Sequence, residues 1–327
     1  MKAILRYNLV LILALWCVTT TANELPLVEK TKTYNKTYAL NSNDKVKLEN
    51  KFGELVISTW NKNEISVEVT MTAKGNTEER AATILDRLRI EDGKNSNGVW
   101  FRTEIQNNDR RNKNTNYNNE GFSINYKVQM PAGAVLDAFN EFGSTNIGNY
   151  DGSLRLSSKF GDLKTGKISN ARKVSVEFGT AHIQSVSNGE LEIKFSRALI
   201  DNIDGSVKAN FEHCSGVKLN IDNGLKELQV RNEFTNLFLN LNKNLSANFN
   251  IYTNFGELRN RSDFELLTEK EDEERGPKFD KTWLGKSGKG TTGLRIKANF
   301  SNVTLGHGLT MDLKEPNKSD RKKTTSI

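Results

Sequence analysis

The chain has 327 residues, with 47 Lys or Arg against 40 Asp or Glu and a formal net charge of +7. That length suffices for one large or two ordinary domains with a sizeable core. The basic runs Arg110-Arg111 and Arg321-Lys322-Lys323 are short and carry no interleaved aromatic residues, whereas nucleic acid calls for a concentrated basic face, so no nucleic-acid partner is expected.

Lys2 and Arg6 precede an apolar run from Leu9 to Trp16, followed by Thr20-Thr21-Ala22. A charged start, a short apolar middle and small residues at the end describe a secretory signal peptide over 1–22, cleaved after Ala22. The apolar run falls short of the roughly 20 residues that span a bilayer. Cys17 is a poor candidate for lipidation, because Trp16 stands where a small residue should precede it. No later stretch reaches spanning length, so the mature chain is expected to be exported, to the periplasm or the cell surface, with no transmembrane segment. Removing Lys2 and Arg6 takes the formal charge from +7 to +5 and leaves Cys214 as the one cysteine. Without an internal disulfide, an exported chain draws its stability from packing or repetition.

Residues 23–131 read as a β-rich first section with one helix. Lys45-Val46-Lys47-Leu48 and Glu64 to Val69 alternate with period two. Asn76-Thr77-Glu78-Glu79 places acids where they complement a helix dipole, and Ala81, Ile84, Leu85 and Leu88 continue a helical stripe. The pattern predicts a helix over about 77–91, ending near Gly93. Val99 to Ile105 reads as a strand, residues 106–120 as a disordered loop, and Phe122 to Met130 as a strand that stops at Pro131-Ala132-Gly133.

From residue 132 to 262 a short unit recurs. Phe-Gly or a close relative stands at Phe142-Gly143, Phe160-Gly161, Phe178-Gly179, Phe195-Ser196, Phe211-Glu212, Phe234-Thr235 and Phe255-Gly256, with outlying copies at Phe52-Gly53 and Phe300-Ser301. Asn often opens the unit, as in Asn140-Glu141-Phe142, and Asp-Gly or Asn-Gly falls midway. Gly161 to Ile168 is one substitution short of a phosphate loop. Ile168 replaces the magnesium-binding hydroxyl, no helix pattern follows, and the repeat explains the same residues. Residues 263–293 form a charged, Gly-rich excursion, 294–314 a final β coil, and 315–327 a disordered tail.

A repeat this short cannot bury its own apolar face, so stacked copies must share a core. In Phe160-Gly161-Asp162-Leu163 one straight strand cannot point both Phe and Leu inward, so a bend at the glycine is expected. Regular period and a Phe column favour a β-solenoid of 16–23-residue coils over a sandwich of hairpins, with the first section capping one end. Val128-Gln129-Met130-Pro131-Ala132-Gly133 followed by these repeats resembles the adhesin-type bacterial envelope proteins of unknown function. The resemblance covers roughly Lys45 to Leu305 and implies an exported β-solenoid, with no catalytic residues to carry over.

The search for chemistry yields little. The histidines are His182, His213 and His307; His213-Cys214 is one adjacent pair of metal-type ligands with no second pair at zinc spacing, and Cys214 is expected to face the core or a turn. Glu54, Asp162 and Glu257 follow Phe-Gly and could align for calcium or acid–base work, but Ser144 and Thr180 interrupt that column. No catalytic, cofactor or metal residues are therefore assigned, and no enzyme activity is expected. The leading expectation is a non-enzymatic, adhesin-like scaffold whose partner is a protein or polysaccharide of the envelope or extracellular surface. The alternatives are a periplasmic regulatory or stress component with an inner-membrane partner, and a β-helical polysaccharide lyase or hydrolase.

Overall fold

The computed structural model describes residues 27–106, 120–268 and 279–313. The predicted signal peptide, most of the 106–120 loop, part of the 263–293 excursion and the 315–327 tail lie outside the described residues. Within them the chain is mainly β: 22 strands joined in one hydrogen-bonded sheet, and a single α-helix.

Alternating side chains build this sheet. In Leu154–Lys159, Leu154 and Leu156 are buried while Arg155 faces out. Each strand that precedes a Phe corner pairs in parallel with its counterpart one repeat on. Val135–Glu141 pairs with Leu154–Lys159, which pairs with Ala171–Glu177; the second halves of Thr180–Lys194, Arg197–Glu212 and Gly216–Glu233 follow. Strands after the corner make a second parallel ladder: Thr145–Ile147, Leu163–Ile168, the first halves of those three long strands, and Leu237–Leu241. Equivalent positions therefore lie in columns. Leu156, Val174, Leu191, Ala209 and Val230 are successive register partners and all are buried. Between the ladders lies the core that no single repeat could enclose.

Residues on both sides of Pro131 share these ladders. Lys45–Lys51 pairs with Val135–Glu141, and Leu55–Trp60 pairs with both Thr145–Ile147 and Gly121–Pro131, all in parallel. Antiparallel strands cover this end: Leu88–Asn95 on Gly98–Ile105, and Val28–Ala39 on Glu64–Gly75, itself on Gly121–Pro131. Such layers shield the edge from pairing with another chain.

The helix, Glu78–Leu85, is capped by Thr77, whose hydroxyl accepts from the Arg80 amide at 3.1 Å. It is shorter than the expected 77–91. Leu88 begins the strand Leu88–Asn95, and Gly93 pairs there with Trp100 instead of ending a helix. Leu88 sits at a spacing that suits either element, and pairing with Gly98–Ile105 decides it.

At the other end, order along the chain and order in space diverge. Thr292–Asn299 inserts between Gly216–Glu233 and Ala247–Asn254, and Val303–Gly306 inserts between Leu237–Leu241 and Leu258–Arg261. The last repeat in sequence is thus not the last in the stack. Asp280–Lys286, inside the expected excursion, runs antiparallel along Ala247–Asn254 as an outer strand.

Tyr34 and Tyr38 both donate hydroxyl hydrogen bonds to the Asp92 carboxylate, tying Val28–Ala39 to Leu88–Asn95. The bond to Asp92, helped by partial burial, pushes Tyr38 up to about 12, and burial together with the same carboxylate raises Tyr34. A raised phenol pKa means that folding favours the neutral form. This contribution is complete below the ordinary value of about 10 and fades as pH climbs toward 12. In Asp92→Asn, the phenolate absorbance of Tyr38 is expected to rise at lower pH than in the parent chain; an unchanged alkaline titration would contradict the link.

Candidate functional site

The corner residues form a column of rings. Phe52, Phe142, Phe160, Phe178, Phe195, His213, Phe234, Phe300, Phe255 and Phe279 stack in that order, with neighbouring centroids 4.8–5.1 Å apart and planes within 14°. Phe122 meets Phe52 edge-on at one end. The nine corner residues from Phe52 to Phe255 and Phe300 all have φ between 47° and 62°. Left-handed geometry at a bulky residue costs on the order of 1 kcal/mol, and a stacked aromatic pair returns a comparable amount.

Two expectations are corrected here. The Phe rings point outward, 37–51% exposed, and the Phe, not the glycine, takes the left-handed turn. Gly53, Gly143, Gly161, Gly179 and Gly256 are needed for close approach instead. A Cβ on Gly161 would lie 2.0 Å from the Gly143 carbonyl oxygen, and one on Gly256 2.0 Å from that of Ser301. The second correction concerns Phe211, expected in the column. It is fully buried, two residues before the corner, and pairs in register with Ile193 and Asn232. His213 takes the ring position in that repeat.

Where glycine is missing after the corner, a small polar residue replaces it. Ser196, Cys214, Thr235 and Ser301 are buried there. The amides of Gly179, Cys214 and Thr235 donate to Ser196 Oγ (3.2 Å), Thr235 Oγ1 (2.9 Å) and Ser301 Oγ (3.1 Å) respectively. The Cys214 thiol contacts the Ile193 carbonyl at 3.2 Å, and burial pushes its pKa up, so it stays neutral. Two residues before the corner, buried Asn50 and Asn140 tie adjacent repeats together: Asn50 Nδ2 donates to Asn140 Oδ1 at 3.0 Å, and Asn140 Nδ2 reaches the carbonyls of Gly143 and Ser144 at 3.0 and 2.9 Å.

The candidate chemical residues are distributed among such roles. Asp162 Oδ1 accepts from the Thr180 amide and hydroxyl at 3.0 and 2.7 Å, while Glu257 holds Arg259 at 3.1 Å. His182 meets Asp201 at 2.7 Å, and His307 Nδ1 lies 2.8 Å from the Leu241 carbonyl oxygen. Among the described residues no group of three or more His, Cys, Asp or Glu could hold a metal. The near-phosphate-loop sequence forms a corner and the strand Leu163–Ile168, with Ile168 buried.

Sequence reasoning missed the outer face of the first ladder. The residue before the corner runs Lys51, Glu141, Lys159, Glu177, Lys194, Glu212 up the stack. Lys51–Glu141, Lys159–Glu177 and Lys194–Glu212 close at 3.8, 2.8 and 3.0 Å. Such exposed pairs contribute well under ~1 kcal/mol each, but they favour one register. The signal was available, since the residue before Phe changes sign from one repeat to the next.

Toward the C-terminal end this pairing lapses beside a groove of about 760 Å³. Lys208, Gln229, Arg295 and Asn250 form one row across adjacent strands, and Asn210, Arg231, Lys297 and Tyr252 form the next. All four cations are exposed. Arg295 reaches Glu227 at 3.3 Å; among the described residues Lys208, Arg231 and Lys297 have no acidic partner within ion-pair distance. Glu190, at the groove edge, is held by Lys173 at 3.2 Å. Lys297 Nζ stands 5.8 Å from the Tyr252 ring centre.

No family model matches the sequence, and no curated protein matches it. Two solved structures are similar over most of the chain. One is a putative cell adhesion protein from Clostridium sporogenes, 12% identical, covering 85% of this chain and 100% of its own, with a TM-score of 0.27. The other is a putative adhesin from Bacteroides fragilis, 10% identical, covering 84% and 97%, with a TM-score of 0.42. Both TM-scores lie below 0.5, so the geometry of this chain alone carries its functional reading.

Proposed function

We propose that this chain is an exported β-solenoid of the bacterial envelope that works without catalysis, binding a partner on an adhesin-like scaffold. The observation that carries this reading is the in-register outer face of the first ladder. Each repeat presents the same side-chain position about 4.8 Å above the last, a periodic surface suited to an extended or repeating partner. Two of the three acids singled out after Phe-Gly support it too: Asp162 and Glu257 lie six strands apart in the second ladder and are engaged by Thr180 and Arg259. The N-terminal charge and apolar pattern supports export.

Protease shaving of intact cells carrying a C-terminally tagged copy tests the location, with a periplasmic protein as control. Loss of the tag while the control survives is the expected result. Protection until the outer membrane is opened would overturn the adhesin-like reading in favour of a periplasmic role. Incubation with a glycan panel is expected to release no product; unsaturated sugars from uronic-acid polymers would overturn the non-catalytic reading.

A further inference from the structure

We infer that the groove holding Lys208, Arg231, Arg295 and Lys297 binds a linear acidic polysaccharide laid along the stack axis. The inference rests on the binding-scaffold reading above and names its ligand and its site. Elsewhere on this face, cations meet acids on the neighbouring strand, as in Lys159–Glu177 and Lys194–Glu212. Here the register partners of Arg231 are Asn210 and Lys297, so two cations lie on adjacent strands with no carboxylate between them. Like charges directly opposite are unfavourable unless an anion joins them. An anionic partner turns that repulsion into attraction.

Geometry selects a chain over a small ion. From the strand of Glu190 to that of Asn250 the groove crosses five strands, a span of roughly 19 Å at the usual strand spacing. Cations stand on three consecutive strands, one strand apart, a separation comparable with the rise of one sugar residue in an extended glycan. Arg231 and Arg295 offer forked donors that match a carboxylate or sulfate. Asn210, Gln229 and Asn250 supply the neutral donors and acceptors that hydroxyl groups need. Tyr252 gives one half-buried ring to pack against a sugar.

The same features disfavour single-stranded nucleic acid. Such binders stack successive bases on several aromatic side chains, and among the described residues this groove holds a single ring. The corner column offers no substitute, because every ring within it has both faces occupied by its neighbours.

The test is calorimetric titration of the full chain with oligogalacturonate, a sulfated glycosaminoglycan oligomer, a neutral β-linked glucan oligomer and an oligothymidylate. Binding to one or both acidic glycans, weakening as salt rises, is expected, with the neutral glucan silent. Arg231→Ala combined with Lys297→Ala is expected to weaken that binding about tenfold or more, since each substitution removes an exposed charge contact. Both positions are exposed, and an unchanged thermal midpoint verifies that the variant is folded. The two acidic glycans distinguish carboxylate from sulfate as the anion recognised. Equal affinity of parent and double variant would overturn the groove assignment while leaving a binding scaffold that acts through another surface. Tighter binding of oligothymidylate than of either acidic glycan would also overturn it. No binding to any of the four by the parent chain, together with a protected tag in the shaving experiment, would bring down the scaffold reading itself.

Discussion

Gly161→Val is expected to destabilise the chain by about 3 kcal/mol or more, at or above the upper part of the range for overpacked positions. A Cβ at this residue would lie 2.0 Å from the Gly143 carbonyl oxygen and 2.5 Å from its carbonyl carbon. Both are backbone atoms held by two parallel ladders, so no flexible side chain can move away. The corner would have to open, and the ring stack of Phe142, Phe160 and Phe178 runs through that corner. Urea unfolding followed by circular dichroism measures the effect. Gly133→Val is the control, because nothing lies within 4 Å of a Cβ there. Equal midpoints for the two variants would show that the corner glycines are not close-approach positions.

Asn140→Ala is expected to cost about 2–3 kcal/mol, the penalty for leaving buried polar groups without partners. Asn140 is 2% exposed; its Oδ1 accepts from Asn50, and its amide serves the carbonyls of Gly143 and Ser144. Alanine abandons all of these at once. Asn140→Ser should lose less, since the next repeat already carries buried Ser158 at the equivalent position, hydrogen-bonded to Thr145 at 3.2 Å. Thermal unfolding of both variants checks the ranking, and an alanine variant as stable as the serine variant would contradict it. The same column holds a half-satisfied amide, since Asn232 Nδ2 donates to the Thr235 carbonyl at 2.9 Å. Asn232 is fully buried between Phe211 and Ala298 on neighbouring strands, and among the described residues its Oδ1 has no hydrogen-bond partner.

Much of the fold was legible because period-two alternation and turn residues act locally. The strands at Lys45–Lys51, Gly98–Ile105 and Gly121–Pro131 lie close to where alternation placed them. What escaped depended on contacts between repeats. Whether a Phe beside a glycine points in or out turns on which residue adopts positive φ, and composition favours glycine for that role. The stacking that tips the balance toward Phe exists only once the copies are aligned. Phe211 was misplaced because matching Phe to Phe ignored a histidine two residues later, although an imidazole is also a flat ring. Placing Phe300 between Phe234 and Phe255 required knowing that the last repeat inserts between two earlier ones, which no local pattern encodes. The groove was invisible for a related reason. Arg231 and Lys297 are far apart in sequence, and that they stand opposite each other with no acidic register partner on either side is a property of register.

Consecutive repeats stack in parallel and in register, and a cysteine cross-link between neighbouring strands tests this. Ser157 and Ser175 are register partners on adjacent strands and both face outward. Their Cα atoms should be about 4.8 Å apart, within the range a disulfide spans. Ser157→Cys with Ser175→Cys should therefore form an intramolecular disulfide rapidly under mild oxidation. Ser157→Cys with Glu192→Cys, two strands apart, should not, and buried Cys214 should stay out of both reactions. Rapid closure of the first pair alone is the predicted result; equal closure of both pairs, or closure of the second alone, would contradict the stack.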